Sequence, residues 1–179
     1  MNESLTNHGR CSFFLPAGFT QQKDPTTIAD TPGEACTDCG KGEKEPVSFV
    51  LQSPGGEPAP VTEAGQSKIS EDAVAATISI FTQPAKFAGE PLAYLRNADG
   101  ILAKSLEEYQ SDFCNSDWVQ GKPAAMAQAS FGTQVRIYRL VIAWCLDGDF
   151  LLASFITTQK KVDWAWTTLK AFAGSVQLR

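Results

Sequence analysis

The chain has 179 residues, 43% of them hydrophobic and 20% charged, with a formal net charge of −5. Such a chain suits one well-packed domain spanning residues 1–179, and its composition excludes a disordered acidic tail or a fibre. No nucleic-acid partner is expected: the charge argues against one, since its binding uses clustered Lys and Arg, and the only tight basic pair here is Lys160–Lys161.

The N-terminal "MNESLTNHGRCSFFLPAGFT" lacks an early positive charge, and its apolar run is cut by Pro16. No signal peptide is expected, and a cytoplasmic location follows as an expectation. Cys11 to Leu15 reads as a short strand ended by Pro16 and Gly18. Two long loops are expected, at roughly 20–46 and 52–72, because neither stretch holds a sustained hydrophobic period. Between them "VSFVL" (Val47 to Leu51) is the second strand. "ATISIFTQ" (Ala76 to Gln83), β-branched and alternating, is the third.

Leu92, Leu95, Ala98, Leu102, Leu106 and Tyr109 recur at spacings of three and four, which predicts a helix from Pro91 to Tyr109. Pro91 suits the first turn of that helix. "DWVQG" and "PAAMAQASFG" read as strands joined at Gly121-Lys122-Pro123. "QVRIYRLVIAWCL" and "DFLLASFITTQ" read as long strands closing on Asp147-Gly148, a strong hairpin signal. No apolar stretch reaches the ~18 residues of a membrane span. "VDWAWTTLKAFAG" is a second helix, with Asp163 as its N-cap and Gly174 as its stop, and "SVQL" adds a last strand. The order β-β-β-α-β-β-β-β-α-β predicts an α+β fold, a mostly antiparallel sheet flanked by helices.

"FFLPAGF" near the start, the helix "GEPLAYLRNADGILAKSL", "WVQGKPAAMAQASF", the long hairpin and a closing helix with Trp166, Leu169 and Phe172 together resemble the PsbP-like and DcrB-like α/β/α sandwich family. That superfamily includes small lipoproteins, a nuclear-transport factor that binds a GTPase, and the Eag-type chaperones of bacterial type VI secretion. The resemblance covers roughly Cys11 to Leu178, less the two loops. It implies a protein that is not an enzyme and that binds another protein, a peptide or an apolar helix on one sheet face. It supplies no active site to carry over.

The residues themselves point the same way. The single histidine, His8, has no G-x-S-x-G or comparable context around a Ser or Cys nucleophile, and "GKGEKE" lacks the strand–loop–helix setting of a phosphate cradle. No catalytic residue is assigned. A metal set is present in outline: His8 and Cys11, then Cys36 and Cys39, make H-x-x-C…C-x-x-C, a tetrahedral group suited to structural Zn²⁺ that would brace the first loop. The alternatives are a reduced, exposed Cys36–Cys39 pair, or a disulfide or redox role for that pair, with Cys11 pointing into the core. Five cysteines, an odd number, argue against a fully paired secreted framework. The cofactor expected is therefore none, or one zinc. Trp164 and Trp166, ~200° apart on a helix, cannot share one core face, so one of them is a candidate partner anchor. The function expected is a non-enzymatic cytoplasmic protein-binding module, such as a chaperone, adaptor or immunity protein for a bacterial secreted effector. The alternative is a small-ligand or lipid-binding protein that uses the sheet face.

Overall fold

In a computed structural model the described residues are 5–8, 11–21, 47–53, 75–133 and 135–179. Their elements, in chain order, are β1 (Leu5–His8), β2 (Cys11–Phe14), β3 (Thr20–Gln21), β4 (Ser48–Gln52), β5 (Thr77–Pro84), α1 (Ala85–Ala88), α2 (Pro91–Ser105), β6 (Gln110–Val119), β7 (Lys122–Phe131), β8 (Ile137–Leu146), β9 (Asp149–Thr158), α3 (Val162–Ser175) and β10 (Gln177–Leu178). A 3-10 turn, Gln159–Lys161, leads into α3.

Seven strands form one sheet in the order β3-β4-β5-β9-β8-β7-β6, and β1, β2 and β10 form a second sheet. Every described pairing is antiparallel. Alternation of side chains along each strand divides the large sheet into two faces. Leu140, Ile142 and Trp144 of β8 join Leu151, Ala153 and Phe155 of β9 beneath Ala165, Leu169 and Phe172 of α3. Val141 and Ala143 point the other way, to a smaller cluster with Phe150 and with Leu95 of α2. Both faces of β7, β8 and β9 are therefore covered, which explains why those strands read as nearly continuous apolar runs. The result is the expected α+β sandwich.

The small sheet locks onto the α3 side of the large one. Phe13 stacks on Phe49 with centroids 4.6 Å apart and meets Phe172 edge-on at 5.3 Å. Ser175 accepts a hydrogen bond from the Phe14 amide (3.1 Å) and donates one to the Phe172 carbonyl (2.7 Å), tying β2 to the end of α3.

Several boundaries differ from the sequence expectation. The helix predicted to reach Tyr109 stops at Ser105, because Leu106 turns extended and Glu108 sits in the left-handed region at φ 50°. The three-residue step from Leu106 to Tyr109 mimics a helical period without belonging to one. Strand β6 begins at Gln110, well before "DWVQG", and its turn is Gln120-Gly121 rather than Gly121-Lys122-Pro123. Asp163 lies in the first turn of α3, not at its N-cap, and the helix runs past Gly174 to Ser175. The Asp147-Gly148 hairpin is present as expected, with φ 51° and 85° at its two turn residues.

Candidate functional site

The four residues of the proposed metal set divide into two groups. Cys36 and Cys39 lie outside the described residues. His8 and Cys11 face each other across the β1–β2 hairpin. Cys11 is only 1% exposed, within the main core. The His8 ring packs against Phe49 at 5.0 Å, and its Nδ1 accepts a hydrogen bond from the Gln21 side-chain amide. A metal using Nδ1 would have to displace Gln21. Among the described residues no group of three His, Cys, Asp or Glu is placed to share an ion.

The two tryptophans of α3 diverge as their spacing requires. Trp166 is half-buried: it stacks on Phe113 at 5.7 Å, and its Nε1 donates to Gln128 Oε1 at 2.8 Å. The Gln128 amide in turn donates to Asp112 Oδ2 at 2.9 Å. This chain runs from helix α3 through β7 to a carboxylate on β6. Trp164 is 43% exposed, yet one face of its indole stacks on Phe19 at 6.0 Å and its edge meets Phe155 at 5.5 Å. Of the two, Trp164 is the one with exposed surface.

A third indole is far more open. Trp118, near the end of β6, is 67% exposed, the largest value among the described large apolar side chains. The sequence places it inside the strand "DWVQG" and carries no signal for its exposure, which depends on β6 being the sheet edge. The edge position itself follows from topology: among the described residues β6 pairs with β7 alone.

Between α2 and β6 lies a titratable cluster that the sequence spacing does not reveal. The Tyr109 hydroxyl donates to Asp99 Oδ1. Burial first, and then the bond to Asp99 and its charge, hold the Tyr109 phenol well above the ordinary tyrosine range. The Cys114 thiol is pushed up by burial and then by the Asp99 charge, with Arg96 pulling the other way. Burial and then the Glu90 charge raise the Cys145 thiol as well. Raised thiols are poor nucleophiles at neutral pH, so neither is set up for covalent chemistry.

The α2 side of the large sheet is covered unevenly. Val50, Phe81 and Ile156 project from β4, β5 and β9 on that side, are half-buried, and belong to neither apolar cluster of described residues. No helix among the described residues is long and apolar enough to cross a membrane.

This layering defines the class: the chain has the PsbP-like α/β fold. Solved structures similar to it include cyanobacterial PsbP from Synechocystis, with a TM-score of 0.56 at 11% identity, covering 100% of this chain and 95% of that one. The Ran-binding protein Mog1p of Saccharomyces cerevisiae has a TM-score of 0.51 at 9% identity, covering 98% and 96%. A protein of unknown function from Pseudomonas aeruginosa has a TM-score of 0.52 at 11% identity, covering 73% and 84%. At such identities the likeness concerns the fold alone. No protein-family model matches the sequence, and no curated protein matches it.

Proposed function

We propose that this chain is a non-enzymatic protein-binding module, acting in the cytoplasm as a chaperone, adaptor or immunity protein for a bacterial secreted effector. One observation carries the reading: the 67%-exposed indole of Trp118 stands on a rigid, hydrogen-bonded strand at the sheet edge. Exposed indoles on fixed scaffolds are the side chains that most often anchor protein partners. The Ran-binding protein that shares the fold supports a protein ligand over a small molecule.

Capture of partners by the tagged chain from its source cells, read by quantitative mass spectrometry, tests this. The expected outcome is a stoichiometric protein whose recovery falls about tenfold or more in Trp118→Ala, the loss typical of a removed anchor. Unchanged recovery by Trp118→Ala would sink the reading. A second reading, a lipid or small ligand on the sheet face, is favoured by the half-buried Val50, Phe81 and Ile156 outside both clusters. It predicts a co-purifying small molecule and no protein.

The proposal has no resident cofactor unless His8, Cys11, Cys36 and Cys39 share a zinc ion as a loop brace. Elemental analysis reads this directly. Close to one equivalent of metal, removed by Cys36→Ser and kept by Cys145→Ser, would establish the zinc. Metal-free protein would dismiss it.

A further inference from the structure

Strand β6 is ten residues long and forms one edge of the large sheet. Gln110, Ser111, Asp112, Asn115, Ser116 and Trp118 are all exposed, so solvent reaches the strand from its outer side. The Gln120-Gly121 turn has φ 51° and 69°, a two-residue loop in which Val119 and Lys122 form the closing hydrogen-bonded pair. Counting back, Trp118, Ser116 and Cys114 occupy non-hydrogen-bonded positions opposite Pro123, Ala125 and Ala127, so their backbone groups point outward. Pro123 fits this count, since it has no N–H to offer Trp118.

Long open edges invite pairing, and proteins normally blunt them with charge and bulges. Here the devices bracket the strand without closing its middle. A bulge falls between Ser111 and Phe113, and the outward N–H of Trp118 is taken by its neighbour, donating to Asp117 Oδ1 at 2.8 Å. The outward amides of Cys114 and Ser116 lie between these two points. Flanking them are the carboxylates of Asp112, held by the Gln128 amide that Trp166 orients, and Asp117. The strand itself carries no Lys or Arg.

We propose that the β6 edge is a docking site for an extended, Lys- or Arg-bearing segment of a partner protein, which adds as an eighth strand. This deepens the protein-binding reading and rests on it. Main-chain bonds to Cys114 and Ser116 supply the pairing, and Asp112 and Asp117 select basic side chains on the α3 side of the strand. A second copy of the chain is the wrong occupant. A two-fold pairing that sets Cys114 on the copy's Ser116 puts Asp117 one residue from the copy's Asp112, twice over, and like charges at that spacing repel.

The test uses fluorescein-labelled acetyl-(Lys-Thr)4-amide and acetyl-(Glu-Thr)4-amide, titrated against the whole chain by anisotropy. The Lys peptide should bind at least about tenfold tighter than the Glu peptide. It should weaken by a similar factor in the Asp112→Asn/Asp117→Asn double variant and slow exchange of the Cys114 and Ser116 amides. Ser116→Pro removes an outward N–H while sparing the β6–β7 ladder, so it should abolish binding at unchanged melting temperature. If that variant is itself destabilised, amide exchange in the unaltered chain decides. Equal binding of both peptides, unprotected Cys114 and Ser116 amides, or a dimer in sedimentation that Ser116→Pro dissolves would each overturn the proposal. Failure of the peptide arms with Trp118-dependent capture intact removes only the basic-strand proposal. Loss of that capture removes the protein-binding reading too.

Discussion

Gln120 reaches from the β6–β7 turn to the end of helix α3, where its Nε2 donates to the Val176 carbonyl at 2.7 Å. The Ala173 and Gly174 carbonyls lie 3.0 and 3.2 Å from the same nitrogen. One side-chain amide thus serves carbonyls that a helix C-terminus leaves without partners. The same residue holds a left-handed backbone, φ 51°, to make the turn.

Gln120→Ala should therefore destabilise the chain by about 1–2 kcal/mol, read by urea denaturation, through the lost bonds to α3. Gln120→Gly loses the same bonds but relaxes the left-handed backbone, a relief of roughly 1 kcal/mol. Glycine should be the milder change. Equal losses would show that the turn stores no strain.

Gly148→Val tests the second hairpin. A Cβ built at Gly148 meets no atom within 4 Å, so the cost is that of φ +85° for a β-branched residue and not of crowding. The expected loss exceeds about 1 kcal/mol. An unchanged melting temperature would argue against the turn.

The two exposed indoles should separate in stability. Trp164→Ala removes rings stacked on Phe19 and set edge-on to Phe155 and should cost about 1–3 kcal/mol. Trp118→Ala should stay within about 0.5 kcal/mol, as surface changes do. Thermal denaturation of both variants reads the difference. A large loss at Trp118 would mean that its indole supports the fold and is not free for a partner.

Tyr109 predicts an alkaline signature. Because the fold favours the neutral phenol, the unfolded chain gives up that proton first as pH rises. The stabilisation is whole below about pH 10, the ordinary phenol value, and drains away as pH climbs from there toward the folded value. Absorbance titration at 295 nm should find one tyrosine ionising late. Asp99→Asn should move it down while burial keeps it above the ordinary value. A Tyr109 that titrates like free tyrosine would remove the Asp99 pairing.

Elements with apolar periodicity were legible because burial imposes the period. The β8–β9 hairpin, the helix from Pro91 and the helix carrying Trp166, Leu169 and Phe172 all follow from it. The strands that periodicity does not reveal are β1, β3, which lies inside the stretch expected as a loop at 20–46, and most of β6: "LTNH", "TQ" and "QSDFCNSD" are short or polar runs with at most one β-branched residue each. Six of the ten β6 side chains are exposed, on both faces of the sheet, so the strand carries no hydrophobic alternation to read. The exposure of Trp118 is hidden for the same reason. The Cys36 and Cys39 pair falls outside the described residues, so the metal set stays where the sequence reading left it.

By itself the sequence determined the fold class, through the periods of its apolar residues and the Asp147-Gly148 turn, since each local choice needs only near neighbours. Tertiary structure alone decided which strand became the edge, which of two α3 indoles packs on Phe113, and that Gln120 closes contacts far along the chain. Those outcomes depend on strand order and on which faces α2 and α3 cover. Such long-range pairings leave no period in the chain, because the residues that meet are set by the whole sheet and not by their spacing.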